Sequence, residues 1–297
     1  MLFPKSTQPS PYIQTNIKKL FYIQNFICVT LILLVFKGPL SAQTYGSETV
    51  ILETEFGTMK LKLFQETPIH RANFIKLAKR GYFDSLMFHR VINQFMIQGG
   101  DSLSKRAKAG DSLGHGEIGY TLPAEFLPGL IHRKGRLCAA RESDDINPRM
   151  ESSPSQFYIV MGKKRSMEDL KKYEDRINKT HYANCARNFI RSDEGKLLKA
   201  RYNRLKSENN ADSAQSVNDL IEKRIQEEHL KTPEYHFNPQ QVETYTTVGG
   251  TPHLDGTYTV FGEVIEGLEI IDLIAAVKTD ARNRPLRDIR MRVRIED

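Results

Sequence analysis

From Glu48 to Phe64 the chain runs in short β-rich stretches, and over 59–63 apolar and polar side chains alternate with a period of two. Thr49-Val50-Ile51-Leu52 and Met59-Lys60-Leu61-Lys62-Leu63-Phe64 flank Phe56-Gly57-Thr58, which predicts two strands joined by a tight turn, with Met59, Leu61 and Leu63 on the buried face. Thr67-Pro68 predicts a helix start, Thr as N-cap and Pro in the first turn, where its missing N–H costs nothing. Ile69, Ala72, Ile75 and Ala78 form the expected apolar stripe, and Gly81 the end. Short strands punctuated by Gly and Pro continue as far as Gln156-Phe157-Tyr158-Ile159-Val160. This pattern predicts a mainly β fold, a closed antiparallel barrel with few helices.

The period changes after Gly162. Leu170, Tyr173 and Ile177 recur at helical spacing, as do Leu198, Tyr202 and Leu205, then Val217, Leu220, Ile221 and Arg224. Ser166-Met167-Glu168-Asp169 reads as a capping box with Asp in place of Glu. Residues 163–244 hold 17 basic and 14 acidic side chains, so the expected two or three helices carry narrow apolar stripes and solvated faces. The β-rich style resumes at Tyr245. The chain therefore reads as one β-rich domain, 43–162 and 245–297, interrupted by a charged helical insertion over 163–244.

Composition adds two things. With 39% hydrophobic and 27% charged residues among 297, the chain has enough apolar side chains for a sizeable core and is not of the disordered class. The net charge of +7 invites a nucleic-acid partner until its location is known. Residues 1–42 contribute four lysines and no acid, the insertion an excess of three basic side chains, and the β-rich segments 22 of each sign. A neutral barrel removes the case for nucleic acid.

Those 42 residues place Lys18-Lys19 before an apolar run from Leu20 to Phe36, followed by Gly38-Pro39-Leu40-Ser41-Ala42. This is the pattern of a secretory signal cleaved after Ala42, with export to the periplasm expected. The alternative is an uncleaved inner-membrane anchor over 20–36, which at 17 residues is near the lower limit for a span and would be the chain's only membrane contact. Cys28 lies within the apolar run, not after it, which disfavours a lipoprotein; Cys138 and Cys185 are expected to be free thiols.

Three motifs tempt and fail. Gly114-His115-Gly116-Glu117-Ile118-Gly119 has GxGxxG spacing, but Tyr120-Thr121-Leu122-Pro123 after it opens no helix, so a dinucleotide loop is excluded and a turn-rich surface loop expected. Gly110-Asp111-Ser112-Leu113-Gly114 and Gly100-Asp101-Ser102-Leu103 spell serine-hydrolase blocks without the strand, elbow and helix that would activate a serine, and no His follows His253. The eight histidines show no HExxH or other metal spacing; His70 and His132 read as surface or capping residues, and neither metal nor cofactor is expected.

The run Phe88-His89-Arg90-Val91-Ile92-Asn93-Gln94-Phe95-Met96-Ile97-Gln98-Gly99-Gly100-Asp101 is of a different order of specificity. It resembles the signature of the cyclophilin family of peptidyl-prolyl cis–trans isomerases. Gly119–Phe126, Leu137–Arg141, Ser155–Ile159 and His253–Gly262 resemble, in the same order, the family's loop after the signature, the strands lining its groove and the segment closing it. The resemblance covers about 48–162 and 245–297 and none of the insertion. It implies an eight-stranded barrel with capping helices and an enzyme that turns X–Pro bonds in unfolded or partly folded exported polypeptides, as a monomer. No nucleophile or metal is needed for that reaction. The barrier is amide resonance, about 18–20 kcal/mol, and a fixed guanidinium can donate to the twisted amide more strongly than to the planar one.

By resemblance Arg90 supplies that guanidinium and Gln98 holds the geometry. Phe95, Met96, Tyr158 and Leu254 line the proline pocket, while Ala140, Arg141, Gln156, His253 and Tyr258 border it. Phe157, alternating with Tyr158, is expected in the core. Tyr158 stands where the family often has Phe, and its hydroxyl then needs a partner. His253 stands where many eukaryotic members carry Trp, which implies weak cyclosporin binding. Arg141 replaces a common Asn and Tyr258 a common His, and the connection Glu142–Pro154 is longer than usual. The other function compatible with these residues is a non-catalytic peptide-binding module or chaperone acting through the insertion.

Overall fold

Eight strands form one antiparallel sheet in the order β3-β4-β6-β5-β7-β2-β1-β8. The structure, a computed structural model, describes residues 48–296, so the signal or anchor reading of residues 1–42 and Cys28 lie outside the described residues. The strands are β1 Thr49–Thr54, β2 Gly57–Leu63, β3 Phe88–Ile92, β4 Met96–Gly99, β5 Arg136–Ala139, β6 Phe157–Val160, β7 Val260–Glu266 and β8 Met291–Ile295. Thr54 pairs with Gly57, so β1 and β2 are a two-residue hairpin in the expected place, with Gly57 at a positive φ that a side chain would strain. Met59, Leu61 and Leu63 are buried, as the alternation predicts.

The expectation of a closed barrel goes further than the ladder does. The edge strands β3 and β8 share no ladder. Among the described residues they are linked by the isolated bridge Met87–Arg290, by backbone hydrogen bonds between residues 85–88 and 289–291 and by the Arg290 guanidinium on the Ser85 carbonyl. The sheet is a strongly curved, open half-barrel whose concave face holds the main core, where Phe157 meets Phe74, Phe83 and Phe88 edge-on or nearly so at ring-centroid distances of 5.5–6.2 Å.

Helix α1, Pro68–Lys79, covers part of that core. Its buried positions are His70, Arg71, Phe74, Ile75, Leu77 and Ala78, while Ile69 and Ala72 of the expected stripe are exposed. Thr67 is the N-cap residue, but its side chain makes no capping bond. The first helical N–H groups are satisfied instead from a distant loop: Ile69 and His70 donate to the Glu125 carboxylate at 3.1 and 3.0 Å. The same carboxylate holds the His70 ring at 2.6 Å. His70 and His132 are both buried, which corrects their reading as surface residues.

Between β6 and β7 the chain forms α2 Met167–Arg191, α3 Asp193–Ser207, α4 Ala211–His229 and the short α5 Pro239–Thr247. The capping box at Ser166 and Asp169 forms in both directions. Leu170 of α2 joins Ile131, Phe237 and Tyr245 in a cluster at the root of these helices, and farther out α2, α3 and α4 pack through a second, narrow seam. Leu220, expected on the stripe, is exposed. Helix α6, Leu268–Ala275, seats Ile271 and Ile274 in the main core. Cys138 and Cys185 are free and buried. Among the described residues no helix is long and apolar enough to cross a membrane.

Candidate active site

The register of four strands sets one row of side chains on the convex face. Arg90 pairs with Gln98, Gln98 with Tyr158, and Tyr158 with Cys138 across β3, β4, β6 and β5. Directly opposed residues share a face. The alternate row, Val91, Ile97, Ile159 and Leu137, faces the main core. A bulge between Phe88 and Arg90 breaks the alternation of β3, sending Phe88 into the core while Arg90 faces the groove. The signature run thus supplies both faces of the sheet at once.

Arg90, Phe95, Met96, Gln98, Ala140, Arg141, Tyr158, Leu254 and Tyr258 line a single cavity of about 130 Å³. These are nine of the eleven residues expected at the site. A cavity of roughly 150 Å³ accepts a benzene ring, so this one suits a single five-membered ring. Gln156 lies just behind, with Gln98 Nε2 donating to its Oε1 at 3.3 Å, and His253 stacks on Phe95 at 5.6 Å between ring centroids.

Arg90 is half-buried, and its one hydrogen bond among the described residues runs from Nη1 to Gln98 Oε1 at 3.1 Å. Partial burial lowers its pKa, yet a guanidinium remains a cation. Gln98 is fixed in turn by Gln156, whose amide donates to the carbonyls of Gly114 and Gly116 at 3.0 and 3.2 Å. The GxGxxG loop therefore holds Gln156 through two of its carbonyls. Gly116 is required there because a Cβ would collide with Asp101. Asp101 itself accepts from the N–H of Leu103 and of Gly114, which leaves Ser102 as the start of a short 3-10 turn.

Arg141 is pinned. Its guanidinium donates to the Thr257 and Glu142 carbonyls at 2.8 and 2.9 Å, pairs with Asp144 and lies 4.5 Å over the Tyr258 ring. It shapes the wall more than it offers a free charge. The long connection 142–154 walls a neighbouring cavity of about 640 Å³ that shares Gln98, Ala140 and Arg141 with the pocket and is also lined by Gln156.

The hydroxyl of Tyr158 finds a partner that the sequence did not reveal. His132 Nε2 lies 3.1 Å from it, and His132 Nδ1 lies 2.9 Å from Asp255 Oδ1. A carboxylate only accepts, so Nδ1 carries a proton, and in the neutral ring Nε2 is then the acceptor for the Tyr158 hydroxyl. Asp255 Oδ2 accepts from the Tyr245 hydroxyl at 2.6 Å. Burial raises the pKa of Tyr158 well above the ordinary phenol range, so this buried chain is neutral at Tyr158 and rigid.

The helices reach the pocket through His253. Its ring is stacked between Phe95 and Tyr173 of α2, 5.7 Å from the latter. Burial, and then the charges of Arg165 and Arg176, push its pKa down to about 4, so at neutral pH the stack is an uncharged one. Tyr173, His132, Asp255 and Tyr245 all escaped the sequence reading of the site. Only the stripe Leu170, Tyr173, Ile177 hinted at the first.

The family model of the cyclophilin type peptidyl-prolyl cis-trans isomerase/CLD matches residues 49–183 and 229–295. The chain belongs to the cyclophilin-type isomerase family. The match omits 184–228, the outer part of the helical excursion of this cyclophilin. A Streptococcus pyogenes chain named as a bifunctional phosphatase/peptidyl-prolyl cis-trans isomerase is 28% identical over 254 residues, 84% of this chain but 39% of that one. A Staphylococcus aureus chain named for peptidyl-prolyl cis-trans isomerase is 27% identical over 245 residues, 82% of this chain and 89% of its own length. A crystal structure of a Cryptosporidium parvum cyclophilin type peptidyl-prolyl cis-trans isomerase superposes with a TM-score of 0.47 at 18% identity, covering 84% of this cyclophilin and 98% of that chain.

Proposed function

We propose that this chain accelerates cis–trans isomerisation of X–Pro bonds in unfolded or partly folded exported polypeptides, with Arg90 as the group that favours the twisted amide. The observation that carries the reading is Arg90 at the rim of an apolar ring-sized cavity, its guanidinium aimed by Gln98 and not neutralised by a carboxylate among the described residues. As the C–N bond turns, the prolyl nitrogen becomes pyramidal and basic; a donor fixed there interacts more strongly with that state than with the planar amide. Phe95, Met96, Tyr158 and Leu254 hold the pyrrolidine ring while the carbonyl side swings. The residues preceding proline extend along Ala140 and Gln156 into the neighbouring cavity. In this reading the leader routes the chain to the periplasm and the helical insertion 163–244 carries no chemistry of its own.

Replacing Arg90 by Ala is expected to lower turnover of a short proline peptide at least tenfold, with the circular dichroism spectrum unchanged. Unchanged turnover in that variant overturns the assignment. Deleting 163–244 should leave peptide turnover measurable. If client binding is lost while peptide turnover persists, the insertion is a substrate arm, as the chaperone reading requires.

A further inference from the structure

The helices carry a cluster that prolyl isomerisation does not use. Val217, Ile221 and Ile225 follow one another every four residues along α4 and, with Cys185 of α2, form the buried seam between the helices. His229 is the next step of four on α4, and His181 lies four residues before Cys185 on α2, so both imidazoles stand on the seam faces. The apolar seam ends in two imidazoles and a thiol. His181 Nδ1 and His229 Nδ1 are 2.9 Å apart, and Cys185 Sγ is 3.8 Å from His181 Nε2. One ligand atom from each of the three lies within 4.8 Å of the other two.

Zn–S bonds of about 2.3 Å and Zn–N bonds of about 2.0–2.1 Å at tetrahedral angles put N···S near about 3.6 Å. His181 Nε2 and Cys185 Sγ are already close to that spacing, and a turn of the His229 ring brings in the third ligand. The 2.9 Å contact between the two Nδ1 atoms holds the His229 ring against the His181 ring, within reach of the same ion. Tyr182 packs edge-on against the His229 ring at 5.3 Å and limits where it can turn. The adjoining cavity of about 750 Å³ reaches Glu194, Glu227 and Glu228 and leaves room for a water or a carboxylate as fourth ligand. The cations on its rim are neutralised: Arg224 pairs with Glu194 and Glu227, and Lys231 with Glu228.

We propose that His181, Cys185 and His229 form a site for a thiophilic divalent transition metal, with Zn²⁺ the best match, which staples the C-terminal half of α2 to the end of α4. One thiolate and two imidazoles select against Mg²⁺ and Ca²⁺. Binding deprotonates Cys185, and that proton goes to solvent.

The test is a titration of the chelator-stripped chain with Zn²⁺ and with Co²⁺. The expected result is one saturable equivalent, a thiolate-to-cobalt charge-transfer band, and slowed alkylation of Cys185 in the Zn²⁺ form that a chelator reverses. Cys185→Ser should abolish the band, and His181→Ala and His229→Ala should each weaken binding at least tenfold, with helix content checked by circular dichroism. The alkylation comparison needs no variant and stands even if one fails to fold. No saturable binding, or binding with no protection of Cys185, reduces the cluster to a hydrogen-bonded histidine pair and overturns the proposal.

Discussion

The curved sheet and the helices α2–α4 solve the same problem at different scales. The sheet buries a broad core built from residues far apart in sequence, and the candidate site is one register row on its other face. The outer helices share a narrow seam with four fully buried residues, Cys185, Val217, Ile221 and Ile225. Their surfaces are laced with exposed pairs three or four residues apart, such as Lys172–Glu168 and Lys171–Asp175, which water and salt screen so that they contribute little. The difference teaches where precision resides: the candidate site sits on the part whose geometry is over-determined, and the locally determined part reaches its edge through the stack Tyr173–His253–Phe95.

The comparison breaks or sharpens under graded perturbation. The largest effect is expected from Phe157→Ala, which empties the middle of the aromatic core. It should cost about 3–5 kcal/mol, seen as a drop in denaturation midpoint together with loss of prolyl turnover. Acid comes next. His89 and His253 have pKa values held down to about 4 by burial, against 6.5 when exposed. Below 6.5 the unfolded chain binds protons that the folded one refuses, so stability is full above that pH and falls as pH drops towards 4. With His253 partly exposed, the loss is on the order of 2–3 kcal/mol. Urea titrations at pH 7 and pH 4.5 measure it; equal midpoints would refute it.

Ile221→Ala in the helical seam should cost about 2 kcal/mol and loosen the helices, detected by hydrogen exchange, while peptide turnover persists. Turnover that falls with it would make helices and sheet one cooperative unit and dissolve the distinction. Tyr158→Phe removes the donor to His132 and leaves a buried acceptor unpaired, at about 1 kcal/mol. The smallest expected effect is Tyr173→Ala, which removes one ring of the stack, about 0.5–1 kcal/mol. It should slow turnover about two- to fivefold, and no change would mean that the helices do not support the pocket.

How much of this was legible follows the range of the interactions. Phe157 in the core and Tyr158 in the groove follow from alternation within one strand, and the capping box of Ser166 and Asp169 from three adjacent positions. The site residues of the signature were legible because that run is a contiguous block. Thr67 was misread as a side-chain cap because the competing acceptor, Glu125, lies more than fifty residues away. The sequence reading found no metal spacing among the histidines, and nothing local shows that His229 arrives beside His181 and Cys185.

By itself, then, the sequence determined the alternation of the strands, the helical character of the excursion, the neutral charge of the β-rich part and the residue types that line the candidate site. Each depends on period, composition or a contiguous run. Only the tertiary structure decided that the sheet stays open between β3 and β8, that Tyr158 is tied through His132 and Asp255 to Tyr245, and that α2 reaches the pocket through Tyr173. Those contacts join residues brought together by strand register and helix packing, and a pairwise meeting of residues from ten to more than a hundred positions apart leaves no local pattern to read.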